Sequence, residues 1–499
     1  MTRFAEYDRY DALGLADLVR RREVHPRELV EAAIGRIERD NPRLNAVILE
    51  LFDRARRQAE GPLPEGPFSG VPYLLKDMIL HAGTRVTFGN ALFRAMNYTP
   101  DHSHPVVERL EAAGLITLGK TNACEFGLLP ITEPEAYGAT ANPWALDRSP
   151  GGSSGGAASA VAGGLVPLAH GNDGGGSLRI PASACGVFAL KPSRGRNPGS
   201  AEDCPDGIVC EGAISRTVRD SAAHLDVLRG PLPGDRWWAP PPERPYREEV
   251  EREPGRLRIA FSTVDFQGRP AHPDCVAAVE DAAWLCASLG HHVEAARPAV
   301  DGARFDAAFA ATWTSLASFF FEVILREARK ERAVDLAVRA LGPAALLAVL
   351  PRLATRSLRY PFERSTRAVA ARAAEVTHAR YYLAAEEVQR AAHAMGQFLG
   401  TWDLWLTPTL AEPPLLTGSF AGLETEALAE RLLTYAAYTP ICNAAGLPAM
   451  SVPLWWNAAG LPIGAHFVSR FGDEATLLRL AGQLERARPW ADRRPPLFP

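Results

Sequence analysis

Short apolar strand segments alternating with amphipathic helices along 499 residues predict an α/β protein large enough to bury a sizeable core. Apolar residues make up 47% and charged residues 22%, the balance of a folded globular chain. A formal charge of −4 gives no reason to look for nucleic acid or an anionic membrane as partner. The seven cysteines are odd in number and scattered, which argues against a disulfide framework. Only Cys204 and Cys210 are near neighbours, so no zinc-like spacing arises and no metal is expected. The N-terminal stretch has no apolar signal region and no run approaches a membrane span, so a cytoplasmic location is expected. Basic residues are almost all arginine; lysine occurs only at 76, 120, 191 and 330. Each lysine therefore merits inspection, because arginine cannot take up or release a proton at neutral pH.

In chain order, residues 10–40 read as two helices, with Pro26 suited to a first turn and Leu29, Val30, Ala33, Ile34 and Ile37 on one face. Phe68–Leu75 reads as a short buried strand that delivers Lys76 and Asp77. A helix near Val106–Ala113 ends at Gly114, and Leu115–Leu118 reads as a strand before Gly119-Lys120-Thr121-Asn122. Residues 130–150 are rich in Pro, Gly and Asn and read as a long functional loop. A strand follows Gly186, residues 194–212 read as irregular, and Thr217–Val227 as helical. The Pro-rich stretch Gly230–Gly255 is the best candidate for a boundary or surface crossing. Further on, Leu257–Phe261 reads as a strand, 272–290 as an amphipathic helix, and 301–400 as largely helical. The final segment carries strands at Leu404–Leu406, Ala449–Leu454 and around Ala465-His466, then a helix at Glu474–Arg486.

The chemistry concentrates in Ser149–Pro181, where two glycine-rich turns each present serine: Gly151–Gly156 and Gly174–Ser177. Runs of glycine occur where the chain must take φ > 0 or approach another group closely. Four consecutive backbone N–H groups at 174–177 can line one concavity, as a developing oxyanion requires, and a serine ending that nest is placed to attack. A tight structural turn or a phosphate-binding loop is the other reading, although no Walker pattern follows. For a base, His170 with Asp173 could form a triad with Ser177. Lys76 is the alternative, since an apolar lead-in that buries its ammonium would lower its pKa, and Ser–Lys pairs replace histidine elsewhere. A structural Lys76–Asp77 ion pair competes with that role. Gly151-Gly-Ser153-Ser-Gly155 satisfies G-x-S-x-G, but Pro150 rules out the buried strand that a nucleophile elbow requires.

Together these blocks resemble the amidase signature family. The carriers are GGSSGG at 151–156, Asp173-Gly-Gly-Gly-Ser177-Leu-Arg179-Ile-Pro181 and Val71-Pro-Tyr-Leu-Leu-Lys76-Asp77. Gly119–Asn122, Leu190–Gly195, Ser215–Asp220 and Asn443–Pro448 also fit, so the motifs run in family order over roughly residues 10–490. Gly174 departs from the family, where threonine or a small apolar residue is common, and His170-Gly-Asn-Asp173 replaces a more usual Gly-Thr-Asp. With Ala182-Ser-Ala-Cys185-Gly-Val, this departure is similar to the branch containing aminohexanoate cyclic-dimer hydrolase.

The resemblance implies one α/β/α domain over 1–499, with a central mixed β-sheet covered by helices and 301–400 as a cap-like helical segment. It implies an amidase acting on carbon–nitrogen bonds other than peptide bonds through an acyl-enzyme, without cofactor or metal. Carried over by position, Ser177 is the nucleophile, Ser153 the bridging serine after a cis peptide bond, and Lys76 the base. The oxyanion hole falls on the backbone of Gly174, Gly175 and Gly176 with Ser177, supported by Ser154, Asp173 and Arg179. Cys124, Phe126, Tyr137 and Ile441, with Trp313 and Phe319 from the helical region, would line a cleft for a small-molecule amide. A homodimer is possible within such a reading. Carbamate, ester or aryl-acylamide hydrolysis would use the same triad, as would the amidase subunit of an amidotransferase; a non-catalytic scaffold would not need all three residues.

Overall fold

The computed structural model describes residues 4, 6–200, 203, 204, 206–328 and 362–498. Lys330 and the middle of the 301–400 region therefore lie outside the described residues. The strands are β1 (Val47–Glu50), β2 (Pro72–Lys76), β3 (Ile116–Thr121), β4 (Leu168–Asp173), β5 (Phe188–Lys191) and β6 (Cys210–Ser215). They continue as β7 (Arg258–Phe261), β8 (His292–Ala295), β9 (Leu404–Pro408), β10 (Ala449–Trp456) and β11 (Pro462–Val468). Together they form an 11-stranded sheet in the order β1-β3-β2-β4-β6-β5-β10-β11-β9-β7-β8. The sheet is mixed: β2 runs parallel to β3 and β4, β7 parallel to β8 and β9, and the centre from β4 through β11 is antiparallel.

Helices cover this sheet in an α/β/α arrangement. Around β2, β3 and β4, the helices Ala12–Arg20, Pro26–Leu44 and Gly155–Ala162 bury Leu15, Leu29, Ile34 and Val161 against Leu74, Leu118 and Leu168. In the other half, Val218–Leu228, Pro273–Ser288 and Glu474–Ala487 bury Leu225, Val279 and Leu480 against Ile259, Leu406, Met450 and Phe467. Each such side chain removed from water stabilises the fold by ~1.5–3 kcal/mol. Local signals set the helix ends. Pro26 starts the second helix behind a His25–Glu28 capping box, and Asn45 closes it in the left-handed region.

Among the described residues the expected helices and strands appear, shifted by a few residues at their ends. Within 301–400 the described helices are Gly302–Ala328, Arg364–Ala373 and His378–Thr401. Four strands escape the hydrophobic pattern: β1, β4, β6 and β8. β4 reads Leu-Ala-His-Gly-Asn-Asp and β6 occupies the end of the stretch expected to be irregular, yet β4 is buried at every position. Polar residues in a central strand defeat propensity when they hydrogen-bond one another, as the site requires here. No helix among the described residues is long and apolar enough to cross a membrane.

Candidate active site

β2 ends on Lys76 and its parallel neighbour β4 ends on Asp173, so both strands deliver polar side chains to the same edge of the sheet. The two glycine turns meet there. Ser154 N–H donates to the Ser177 carbonyl at 3.3 Å, and Ser154 Oγ–H donates to the Asn172 carbonyl at 3.2 Å. The Gly152–Ser153 peptide bond is cis. Gly152 can only be glycine, because a Cβ there would lie 2.2 Å from the Ile131 carbonyl oxygen.

Lys76 is fully buried and turns away from Asp77. Its Nζ lies 2.7 Å from Ser153 Oγ and 2.6 Å from Asn172 Oδ1. Asp77 instead accepts from the Thr87 backbone N–H at 3.2 Å and from the Thr87 hydroxyl. Burial lowers the Lys76 ammonium to about 8, with Cys124, Glu211 and Asp173 pulling the other way. The Cys124 thiol is itself pushed up to about 12 by burial, so Glu211 and Asp173 are the charges that count.

Ser177 and Ser153 border one cavity of about 410 Å³, together with Phe126, Asn172, Gly174, Glu211, Trp313 and Phe319. Ser177 also borders a second, apolar cavity of about 100 Å³, shared with Gly175, Ile180 and Trp313. Behind Ser177 the nest is tied to Asp173: Gly176 N–H donates to Oδ1 at 2.7 Å and Leu178 N–H to Oδ2 at 3.1 Å. Gly176 therefore points its N–H away from the cavity, while those of Gly174, Gly175 and Ser177 donate to no described group. Arg179 clamps the same carboxylate through Nε and Nη2, both at 2.9 Å. Burial alone would raise Asp173, but the Arg179 guanidinium outweighs it and holds the carboxyl well below the usual range.

His170 and Asp173 do not form a triad with Ser177: His170 Nε2 lies 2.7 Å from Glu211, and Asp173 is taken by Arg179. Of the six cleft residues expected from sequence, three border the larger cavity, Phe126 among them. Cys124 is buried beneath it, its Sγ donating to the Leu129 carbonyl at 3.2 Å. Tyr137 lies under the Arg94 guanidinium, 4.5 Å from its ring centroid, and Ile441 is fully buried in a core with Phe309 and Met395. Cys124, Tyr137 and Ile441 border neither cavity. Trp313 and Phe319 from the helix Gly302–Ala328 do. Sequence reasoning assigned no role to Asn172, although it lies in the His170-Gly-Asn-Asp173 block, or to Glu211, which lies in no motif; the two pair directly across β4 and β6.

A family model described as Amidase matches residues 28–478. The chain belongs to the amidase family. This amidase is 40% identical over 502 aligned residues to the 6-aminohexanoate-cyclic-dimer hydrolase of Paenarthrobacter ureafaciens, covering 98% of this chain and 97% of that protein. Among solved structures, one of a 6-aminohexanoate cyclic dimer hydrolase superposes with a TM-score of 0.85 at 37% identity, covering 98% and 99% of the two chains. A bacterial aryl acylamidase of the amidase signature family superposes with a TM-score of 0.81 at 25% identity, covering 97% of each chain. The amidase is thus a hydrolase of carbon–nitrogen bonds other than peptide bonds.

Proposed function

We propose that the amidase attacks its substrate carbonyl with Ser177, using neutral Lys76 as base through the hydroxyl of Ser153. The observation that carries this reading is the 2.7 Å contact between Lys76 Nζ and Ser153 Oγ at the floor of the cavity that Ser177 borders. A lysine lowered to about 8 is partly neutral near pH 7 and can accept a proton, which a freely solvated one rarely does. Ser177 Oγ bonds to the carbonyl carbon while its proton passes to Ser153 and the Ser153 proton to Lys76. The backbone N–H groups of Gly174, Gly175 and Ser177 are free to receive the oxyanion, and Gly176 contributes by holding the turn on Asp173. Ser154 and Arg179 brace the two turns. Collapse of the tetrahedral intermediate breaks the C–N bond, and Lys76 returns its proton through Ser153 to the departing amine. Water then repeats the attack on the acyl-enzyme and releases the acid.

For substrate, the cavity suits a non-anionic amide of moderate bulk: Phe88, Phe93, Phe126, Trp313 and Phe319 wall its apolar side, and Asp101, Asp203 and Glu211 border it too. The likeness to 6-aminohexanoate-cyclic-dimer hydrolase makes cyclic aminohexanoate oligoamides, which carry no charged end, the first class to test. Aryl acylamides are the second, supported by the same aromatic walls and the likeness to an aryl acylamidase. The deciding experiment is a turnover panel of cyclic, linear and aryl amides with carbamates and esters alongside. Ser177→Ala should fold normally and lose at least about a thousandfold in kcat. Near wild-type turnover in that variant would overturn the assignment of the nucleophile.

A further inference from the structure

Four polar links join the backbone of Lys76 to its own side chain through residues that the relay itself does not use. The Lys76 N–H lies 3.3 Å from His170 Nδ1, and His170 Nε2 lies 2.7 Å from Glu211 Oε2. Glu211 Oε1 lies 3.4 Å from Asn172 Nδ2, and Asn172 Oδ1 lies 2.6 Å from Lys76 Nζ. β4 carries His170 and Asn172, and β6 carries Glu211 opposite Asn172 and diagonal to His170.

The direction of each link is fixed by what its atoms can do. A backbone N–H only donates, so His170 Nδ1 accepts and the ring proton sits on Nε2, where it goes to Glu211. An ionised carboxylate only accepts, so Asn172 turns its NH₂ toward Glu211 and its carbonyl toward Lys76. Neutral Lys76 then donates to Asn172 and keeps its lone pair for the Ser153 hydroxyl. With the amide reversed, the Asn172 NH₂ would meet the lysine nitrogen and compete for that lone pair.

Resting on the triad proposed above, we infer that Glu211 is a positioning residue: its carboxylate, held by His170, sets which end of Asn172 faces Lys76 and so aims the base at Ser153. Glu211 is placed for such a role because it borders the substrate cavity as well as the relay. The other charged or titratable groups facing this centre are Asp173 from β4, already paired with Arg179, Cys124 after β3, His104 ahead of the helix Pro105–Ala112, Tyr73 from β2, Cys210 from β6 and His224 from the helix Val218–Leu228, the last hydrogen-bonded to Tyr73.

The test is kinetic, on a nitroanilide that the wild-type enzyme turns over. Glu211→Gln keeps the shape but can accept from only one neighbour, so either His170 or Asn172 must reverse. The expected result is a kcat lower by about 10–100-fold, the scale of a lost supporting contact, with KM within about twofold. The acid limb of the pH profile should also move to lower pH, because a negative charge that favours the Lys76 ammonium is gone. Adding Asn172→Asp restores the polarity, since the new amide at 211 accepts from His170 and donates to the new carboxylate at 172. That double variant should regain about tenfold over the single one, with its acid limb above that of wild type. A Glu211→Gln kcat within about twofold of wild type with an unmoved acid limb overturns the inference, as does a folded double variant no faster than the single one. Should Glu211→Gln fail to fold by circular dichroism, the double variant decides alone: an acid limb not above wild type overturns the inference. Lys76→Met and Ser177→Ala separate the two claims. If both are inactive and Glu211→Gln is normal, only the role of Glu211 falls; if both stay active, the triad itself falls.

Discussion

Asp173 and Arg179 form a bidentate ion pair that is buried on both sides and holds the glycine nest from behind. Arg179 is further satisfied by the Thr439 carbonyl at 3.1 Å, Asn443 Oδ1 at 2.5 Å and His466 Nε2 at 3.0 Å. Burial and the guanidinium drive His466 well below its usual range, so it accepts from Arg179 as a neutral ring. Removing one partner of a buried pair leaves the other charge uncompensated, at a cost of ~3–5 kcal/mol. Arg179→Leu should therefore lower the unfolding free energy by about that amount in urea titration. A loss under about 1 kcal/mol would mean that the backbone donors of Gly176 and Leu178, with the Asn443 amide, suffice for Asp173.

The second prediction concerns pH. Lys76 is lowered to about 8, and only its neutral form can take the Ser153 proton. Activity should therefore rise with pH, with an acid limb in kcat/KM centred near 8 and a plateau above it. Initial rates between about pH 6 and pH 10 on an uncharged amide would measure this. A profile flat across that range would show that the base is not titrating there.

Adjacent glycines in the nest should respond differently to alanine. Gly176 has φ +132°, and a Cβ there would lie 2.4 Å from Thr439 Oγ1. Gly175 has negative φ, and its nearest neighbour to a new Cβ is Phe309 at 3.6 Å, ordinary contact. Gly176→Ala should lose at least ~2 kcal/mol of stability from strain and overlap. Gly175→Ala should fold like wild type but lose kcat/KM, because its methyl group enters the apolar cavity beside Ser177. Thermal melting read beside kcat/KM checks both, and equal stability losses would contradict the argument.

These residues mark what the sequence could and could not reveal. Glycines at 151–156 and 174–176 are legible as a pattern, because runs of glycine mark tight turns and close approaches, although the groups that exclude a side chain come from elsewhere in the chain, Ile131 at Gly152 and Thr439 at Gly176. Lys76 is legible because an apolar lead-in buries it and lysine is otherwise scarce. Asn172 and Glu211 are not, because their meaning lies in a strand pairing between β4 and β6 whose polar sequences hide both strands. The cavity walls are harder still. Cys124, Tyr137 and Ile441 sit in the right neighbourhood but turn into cores or onto Arg94, while Trp313 arrives from a helix far along the chain.

Trp313 and Gly174 should be coupled. A Cβ at Gly174 would lie 3.3 Å from the Trp313 ring and 3.3 Å from Val209, so the indole occupies space that a threonine in the family's usual manner would need. Trp313 Nε1–H donates to the Leu128 carbonyl at 3.3 Å, and the same ring borders both cavities next to Ser177. Truncating it removes the wall between them. Trp313→Ala should lower kcat/KM for small acetamides while sparing bulky cyclic or aryl amides, raising the bulky-to-small ratio by about tenfold. Gly174→Ala should cost stability in the wild-type background, about 1 kcal/mol, and less once Trp313 is alanine. The wild type, the two single variants and the double variant, assayed on one small and one bulky amide and melted in parallel, complete the cycle. Additive stability losses with an unchanged substrate ratio would show that Trp313 neither dictates the glycine at 174 nor divides the cleft.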